Sequence, residues 1–96
     1  MTRITVLIKK PSEWWKRKVI SNTERSVIGI VGEKAEHVTN LVGDAVYIGQ
    51  VADMQWTSDS PLKRNMMMFD KTFVGPVIMA GINEKGELTD LPERYL

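Results

Sequence analysis

The sequence contains no cysteine and a single histidine. A disulfide framework, a thiolate nucleophile and a zinc-thiolate centre are thereby excluded, together with any site built from several imidazoles. A dominant charge is missing too: 13 Lys and Arg stand against 12 Asp and Glu, a formal net charge of +1. That balance excludes a heavily acidic nucleic-acid mimic and removes global steering toward polyanions, so any polyanion site has to be local. No apolar run reaches the roughly 18 residues needed to cross a bilayer, and Met1 to Lys10 brackets a short apolar stretch with charges, unlike a signal peptide. The expectation is no membrane partner and a cytoplasmic location, which the lack of cysteine fits.

What is present is an ordinary globular composition. The 96 residues are 43% hydrophobic and 26% charged, enough for one packed core and too few for two, so residues 1–96 are expected to form a single domain. Ile4, Val6 and Ile8 alternate with Arg3, Thr5 and Lys9, a period of two that predicts a strand ending before Pro11. Trp15 to Ile20 alternates again, with Trp15, Arg17 and Val19 on one face and Lys16, Lys18 and Ile20 on the other; a short helix from Ser12 is the competing reading.

Ser21-Asn22-Thr23-Glu24 fits a capping box and predicts a helix carrying Val27, Ile28 and Val31 on one face, closed by Gly32. The β-branched residues there would also suit a strand. Ala35 to Thr39 and Ala45 to Val51 read as strands, with Tyr47 and Ile48 on opposite faces and a turn at Asn40 to Asp44. Asp53 to Pro61 is loop, and Leu62 to Phe69 is either a helical turn or an extended connection.

Thr72 to Ile82 is the most continuously apolar segment and predicts a core strand; Gly75-Pro76 within it implies a bulge or an edge position. Asn83 to Gly86 then makes a hairpin loop returning along Glu87 to Leu91, and Asp90-Leu91-Pro92-Glu93 could cap a last helical turn. The fold class expected is α+β: a mainly antiparallel sheet of about five strands with one principal helix packed on one face.

Little here carries chemistry. His37 sits beside Glu36 in a predicted strand, so the two side chains point to opposite faces and cannot form a dyad by themselves. Gly29 to Lys34 lacks the Gly-Lys-Ser/Thr ending of a phosphate loop, and Asn83 to Glu87 lacks the acidic positions of a calcium loop. No catalytic residue, metal ligand or cofactor is expected. An enzyme would need acids such as Asp44, Asp53 or Asp59 to converge in a cleft, which no spacing requires.

Two segments are candidates for binding. Trp14-Trp15-Lys16-Arg17-Lys18 joins two aromatic surfaces to three cations, with Lys9 and Lys10 nearby. It can supply hot spots for a protein or a stacking platform for nucleic acid; alternatively, one Trp anchors in the core while the cations form a solvated strand face. In Leu62 to Met68, Lys63, Arg64 and Asn65 can hold a phosphate or carboxylate and Met67 offers adaptable apolar surface, unless the segment is simply a loop with methionines turned inward.

Several segments together resemble a known family. Ile4 to Pro11, Val19-Ile20-Ser21-Asn22-Thr23 and Ile30-Val31-Gly32-Glu33-Lys34-Ala35-Glu36-His37-Val38 are similar to the phage and mobile-element family called domain of unknown function 3846, in which an opening strand and basic linker lead into a short helix, a Val-Gly-Gly-like corner and a further strand. Pro61 to Asn65 looks like a variant of its Leu-Pro-x-Asn-Arg segment, and Phe73 to Ile78 with Gly86 to Leu91 resembles its closing hairpin. Glu33 stands where the family often has a second Gly, and Arg64-Asn65 reverses the family's order. The resemblance implies a phage or prophage origin and expression in a bacterial cytoplasm; it brings no established activity.

The combined expectation is a small non-enzymatic accessory protein that binds a host macromolecule, a host protein first, in host takeover or anti-defence. The alternative is a nucleic-acid or nucleotide-binding module using Lys9, Lys10, Lys16, Arg17, Lys18, Lys63 and Arg64 around a stacking Trp. An open sheet edge would also permit a homodimer.

Overall fold

The computed structural model describes residues 2–96, which form a seven-stranded, antiparallel sheet carrying one short α-helix. Strands β1 (Arg3–Lys9) and β2 (Lys16–Ser21) lead into α1 (Glu24–Val31); β3 (Glu36–Thr39) and β4 (Ala45–Val51) follow, then β5 (Arg64–Met68), β6 (Lys71–Ile82), β7 (Leu88–Thr89) and a final 3-10 turn at Glu93–Tyr95. The main order is β2-β1-β6-β4-β3, with β5 and β7 also on β6. The α+β class stands, but the sheet is larger than the five strands expected: the Leu62 to Phe69 segment, open between a helical turn and an extended connection, forms β5, and the Glu87 to Leu91 return of the hairpin adds the two-residue β7.

Strand alternation divides the apolar residues between two faces. Ile4 and Val6 of β1, Val46 and Ile48 of β4, and Ile78 and Ala80 of β6 pack with Val27 and Val31 of α1. Leu7, Ala45, Tyr47 and Met79 turn the other way and are covered by Trp15, Leu91 and Tyr95. Tyr47 and Ile48 therefore do lie on opposite faces. Each fully buried Val or Ile contributes roughly 1.5–3 kcal/mol, so both layers matter to stability.

The helix begins at Glu24 with Thr23 as its cap: the Thr23 hydroxyl oxygen accepts from the Ser26 amide at 3.2 Å. The Ser21 capping box is thus corrected, since Ser21 is still in β2, paired with Arg3. Gly32 closes the helix at φ +92°, its amide donating to Ile28 O at 2.8 Å. The Gln50 amide donates to Val31 O at 2.9 Å and caps the last carbonyls from β4. The proposed Asp90 cap is also corrected: Pro92 holds that position with no side-chain bond, while Asp90 Oδ1 accepts from the Thr5 amide at 2.7 Å.

Pro76 lies in the central strand, which overturns the edge reading and bears out the bulge. One side of β6 pairs with β4 throughout; the other is shared by β5 at Lys71–Val74, β1 at Val77–Met79 and β7 at Gly81–Ile82. Proline, which has no amide hydrogen, sits at the junction between β5 and β1, where the ladder is interrupted anyway. Gly75 beside it holds φ +73°, and its amide donates to Lys63 O at 2.8 Å. Leu62 to Phe69 proves to be extended rather than helical, and Ser12 to Glu13 form a turn rather than a helix.

Candidate partner-binding edge

The two tryptophans separate because adjacent residues at the entry to a strand face opposite ways. Trp15 is half-buried and meets Tyr47 edge-on, ring centroids 6.1 Å apart. Burial and the neighbouring Tyr95 push the Tyr47 phenol above its ordinary pKa. Trp14 is 81% exposed. One indole anchors the segment and the other is presented to solvent.

Around Trp14 the helix-side face of the sheet is basic. Ile8, Lys10, Glu13, Lys16 and Lys18 join it around a shallow groove of about 90 Å³. Lys16 is paired with Glu13 at 3.0 Å, and that bond, with the Lys16 charge and then Lys10, holds the Glu13 carboxyl below its ordinary range. Lys10, Arg17 and Lys18 have no ion-pair partner among the described residues. The groove is too small to enclose a ligand, since small-molecule pockets run to roughly 300 Å³ or more; it suits a projecting group on a larger partner.

The second candidate segment lies next to the first. Asn65 Nδ2 donates to Lys9 O at 2.6 Å and to Gly75 O at 2.8 Å, and the Lys9 ammonium donates to Asn65 Oδ1 at 2.8 Å. These bonds tie the end of β1 to the start of β5. They also use both hydrogens of the Asn65 side-chain amide, which leaves it no donor for a phosphate, and hold the Lys9 ammonium against β5. Lys63 donates to Ser58 O at 3.2 Å, Arg64 Nη2 reaches Met67 Sδ at 3.2 Å, and Met67 is 55% exposed.

Sequence reasoning expects an open edge but does not say which strand forms it. β2 pairs with β1 alone, without a bulge, over six residues. The Asn22 amide donates to Thr2 O at 2.8 Å in the same register. Bonded pairs alternate in an antiparallel ladder, so Lys16, Lys18 and Ile20 turn their backbone groups toward β1 while Arg17 and Val19 turn theirs outward. Val19 is 59% exposed. The missing signal was which of two short strands would lie outermost, a property of the whole topology.

Elsewhere the chemistry is structural. Asp44 is paired with Arg94 and accepts from the Tyr95 hydroxyl at 2.9 Å, locking the C-terminal turn to the β3–β4 corner. Asp53 Oδ1 accepts from the Gln55 amide at 2.9 Å in a local turn. Beside α1 a wider cleft of about 340 Å³ runs past Val27, Ile28, Ala35 and Leu88 to His37. Of its polar side chains, Asn22 donates to Leu88 O at 2.9 Å and Thr23 caps α1, so both are already engaged in the fold, and Glu24, Glu33 and His37 are exposed. Among the described residues no three His, Asp or Glu side chains gather as a metal site, and no helix is long and apolar enough to cross a membrane. No family model, curated protein or solved structure matches the chain.

Proposed function

We propose that this chain is a non-enzymatic accessory protein that binds a host protein through the corner at Trp14. The observation that carries this reading is the 81% exposure of Trp14 beside Lys10 and Lys18. Keeping an indole in water forgoes burial that Trp15 obtains one residue away, and Trp is among the residues that dominate the energetics of protein interfaces, while rim charges such as Lys10 and Lys18 steer a complementary partner. The resemblance of the sequence to domain of unknown function 3846 supports reading this binding as that of a phage or prophage protein in a bacterial cytoplasm, with host takeover or the blocking of a defence system as the corresponding role.

The test is native mass spectrometry of a tagged copy purified gently from a bacterial host at moderate salt, alongside Trp14→Ala. A stoichiometric host protein lost from the variant, whose thermal midpoint is unchanged, is the expected result. Equal capture by both proteins would sink the reading. Nuclease-sensitive material that dissociates steeply with salt would replace it with nucleic-acid binding, because neutralised phosphates make affinity fall with ionic strength.

A further inference from the structure

We infer that β2 is a strand-addition site: an acidic, extended segment of a partner protein pairs with its free edge. The inference rests on the binding role proposed above and assigns that role a geometry. Arg17 and Val19 point their amide and carbonyl groups away from β1, as the β1–β2 register requires. Neither residue is covered, and of the devices that ordinarily close an edge β2 has only its charged side chains, Lys16, Arg17 and Lys18, with no proline, bulge or overlying loop. An incoming strand would complete these backbone bonds, the source of affinity in this mode of recognition.

Charge selects the occupant. Lys16 and Lys18 project on the helix side of β2 and Arg17 on the other, and only Lys16 has a carboxylate partner. A second copy pairing β2 against β2 would set these cations against one another, and opposed like charges destabilise a strand pair. Pairing β2 with β3 of another copy would meet a four-residue strand whose one carboxylate, Glu36, is held by Lys71 at 2.8 Å. The charges that block self-pairing favour a foreign strand with carboxylates at alternate positions. An apolar residue between them would lie beside Val19, and Trp14 would bound the site at the start of β2.

The probe is a capped peptide alternating glutamate and valine, which sets every carboxylate on the Lys16 and Lys18 side. Amide exchange at Arg17 and Val19, rapid in the free protein, is expected to slow on saturation, while the peptide methylated at the amides facing β2 binds about tenfold or more weakly, as loss of one backbone bond implies. A lysine-valine peptide should not bind.

Val19→Pro removes an outward amide without touching the β1 ladder and should weaken binding by a similar factor. Should that variant unfold, the double variant Lys16→Glu with Lys18→Glu supplies the same test through charge. Undiminished binding of the methylated peptide, or protection of Arg17 and Val19 by self-association without peptide, overturns the inference. A host partner lost from Trp14→Ala yet retained by Val19→Pro would overturn strand addition alone and leave the binding role standing; one retained by both would end both.

Discussion

Trp15 and Tyr47 meet edge to face across the side of the sheet that α1 does not cover. Their contact decides which indole belongs to the fold. Trp15→Ala should cost about 1–3 kcal/mol, somewhat below the roughly 3–5 kcal/mol of a fully buried Trp, whereas Trp14→Ala should stay within about 0.5 kcal/mol of the parent. Urea unfolding of the two single variants measures both; equal losses would remove the distinction between anchor and presented ring.

Asn65 bridges three backbone segments with one side chain. Asn65→Leu leaves the carbonyls of Lys9 and Gly75 without a donor and should cost about 1–3 kcal/mol. Hydrogen exchange should accelerate first in β5 and at the end of β1. Unchanged stability would return Asn65 to the list of side chains free to bind a ligand.

Gly81 is extended, yet a methyl group there would collide with the backbone carbonyl of Asp90 and with the Thr89 hydroxyl. Backbone cannot swing aside as a long side chain can, so Gly81→Ala should cost about 1–3 kcal/mol through overpacking. Because Asp90 leads into Leu91 and Tyr95, the same substitution should expose the last residues to limited proteolysis. Resistance equal to that of the parent would show that the segment docks independently of Gly81.

Glu13 and Lys16 make a pH-sensitive pair. The Glu13 carboxyl titrates below its ordinary value, chiefly through the Lys16 hydrogen bond. A depressed carboxyl contributes its stabilisation above its unfolded pKa and loses it as pH falls through the folded pKa. Carbon-13 titration should therefore show Glu13 ionising below the ordinary glutamate value, with Lys16→Met raising it toward that value. The pair is fully solvated, so little change in global stability should accompany the loss.

Much of the fold was legible residue by residue. The alternation of Ile4, Val6 and Ile8 identified β1, and the composition of Ala45 to Val51 identified β4 with its bounds. The helix is legible but its cap is not: Ser21 has Glu24 at the capping-box spacing, whereas Thr23, the residue that caps α1, has Ser26 there and so leaves no such pattern. Gly75-Pro76 reads as a bulge or an edge, and of the two the bulge is what the structure holds; nothing in Phe73 to Ile78 announces that β6 changes neighbours there, which is what decides between them.

The candidate site was legible as composition and not as geometry. That Trp14 faces water depends on Tyr47, Leu91 and Tyr95, all remote in sequence, covering the side to which Trp15 turns. The outward direction of the Arg17 and Val19 amides depends on which side of β2 its only neighbour β1 occupies, which side-chain periodicity does not give.

The central position of β6 also dictates the order of events at the ribosome. Leu7 pairs with Met79, and Tyr47 pairs with the same residue from the other side. Until Lys71–Ile82 has emerged, β1 with β2 and β3 with β4 are two separate hairpins, each with one apolar face uncovered, and isolated hairpins are marginal in water. The sheet therefore assembles late and through distant contacts, a high contact order that slows folding relative to helical domains of this size. During that interval the apolar faces of both hairpins stay in water, the condition under which partly folded chains aggregate.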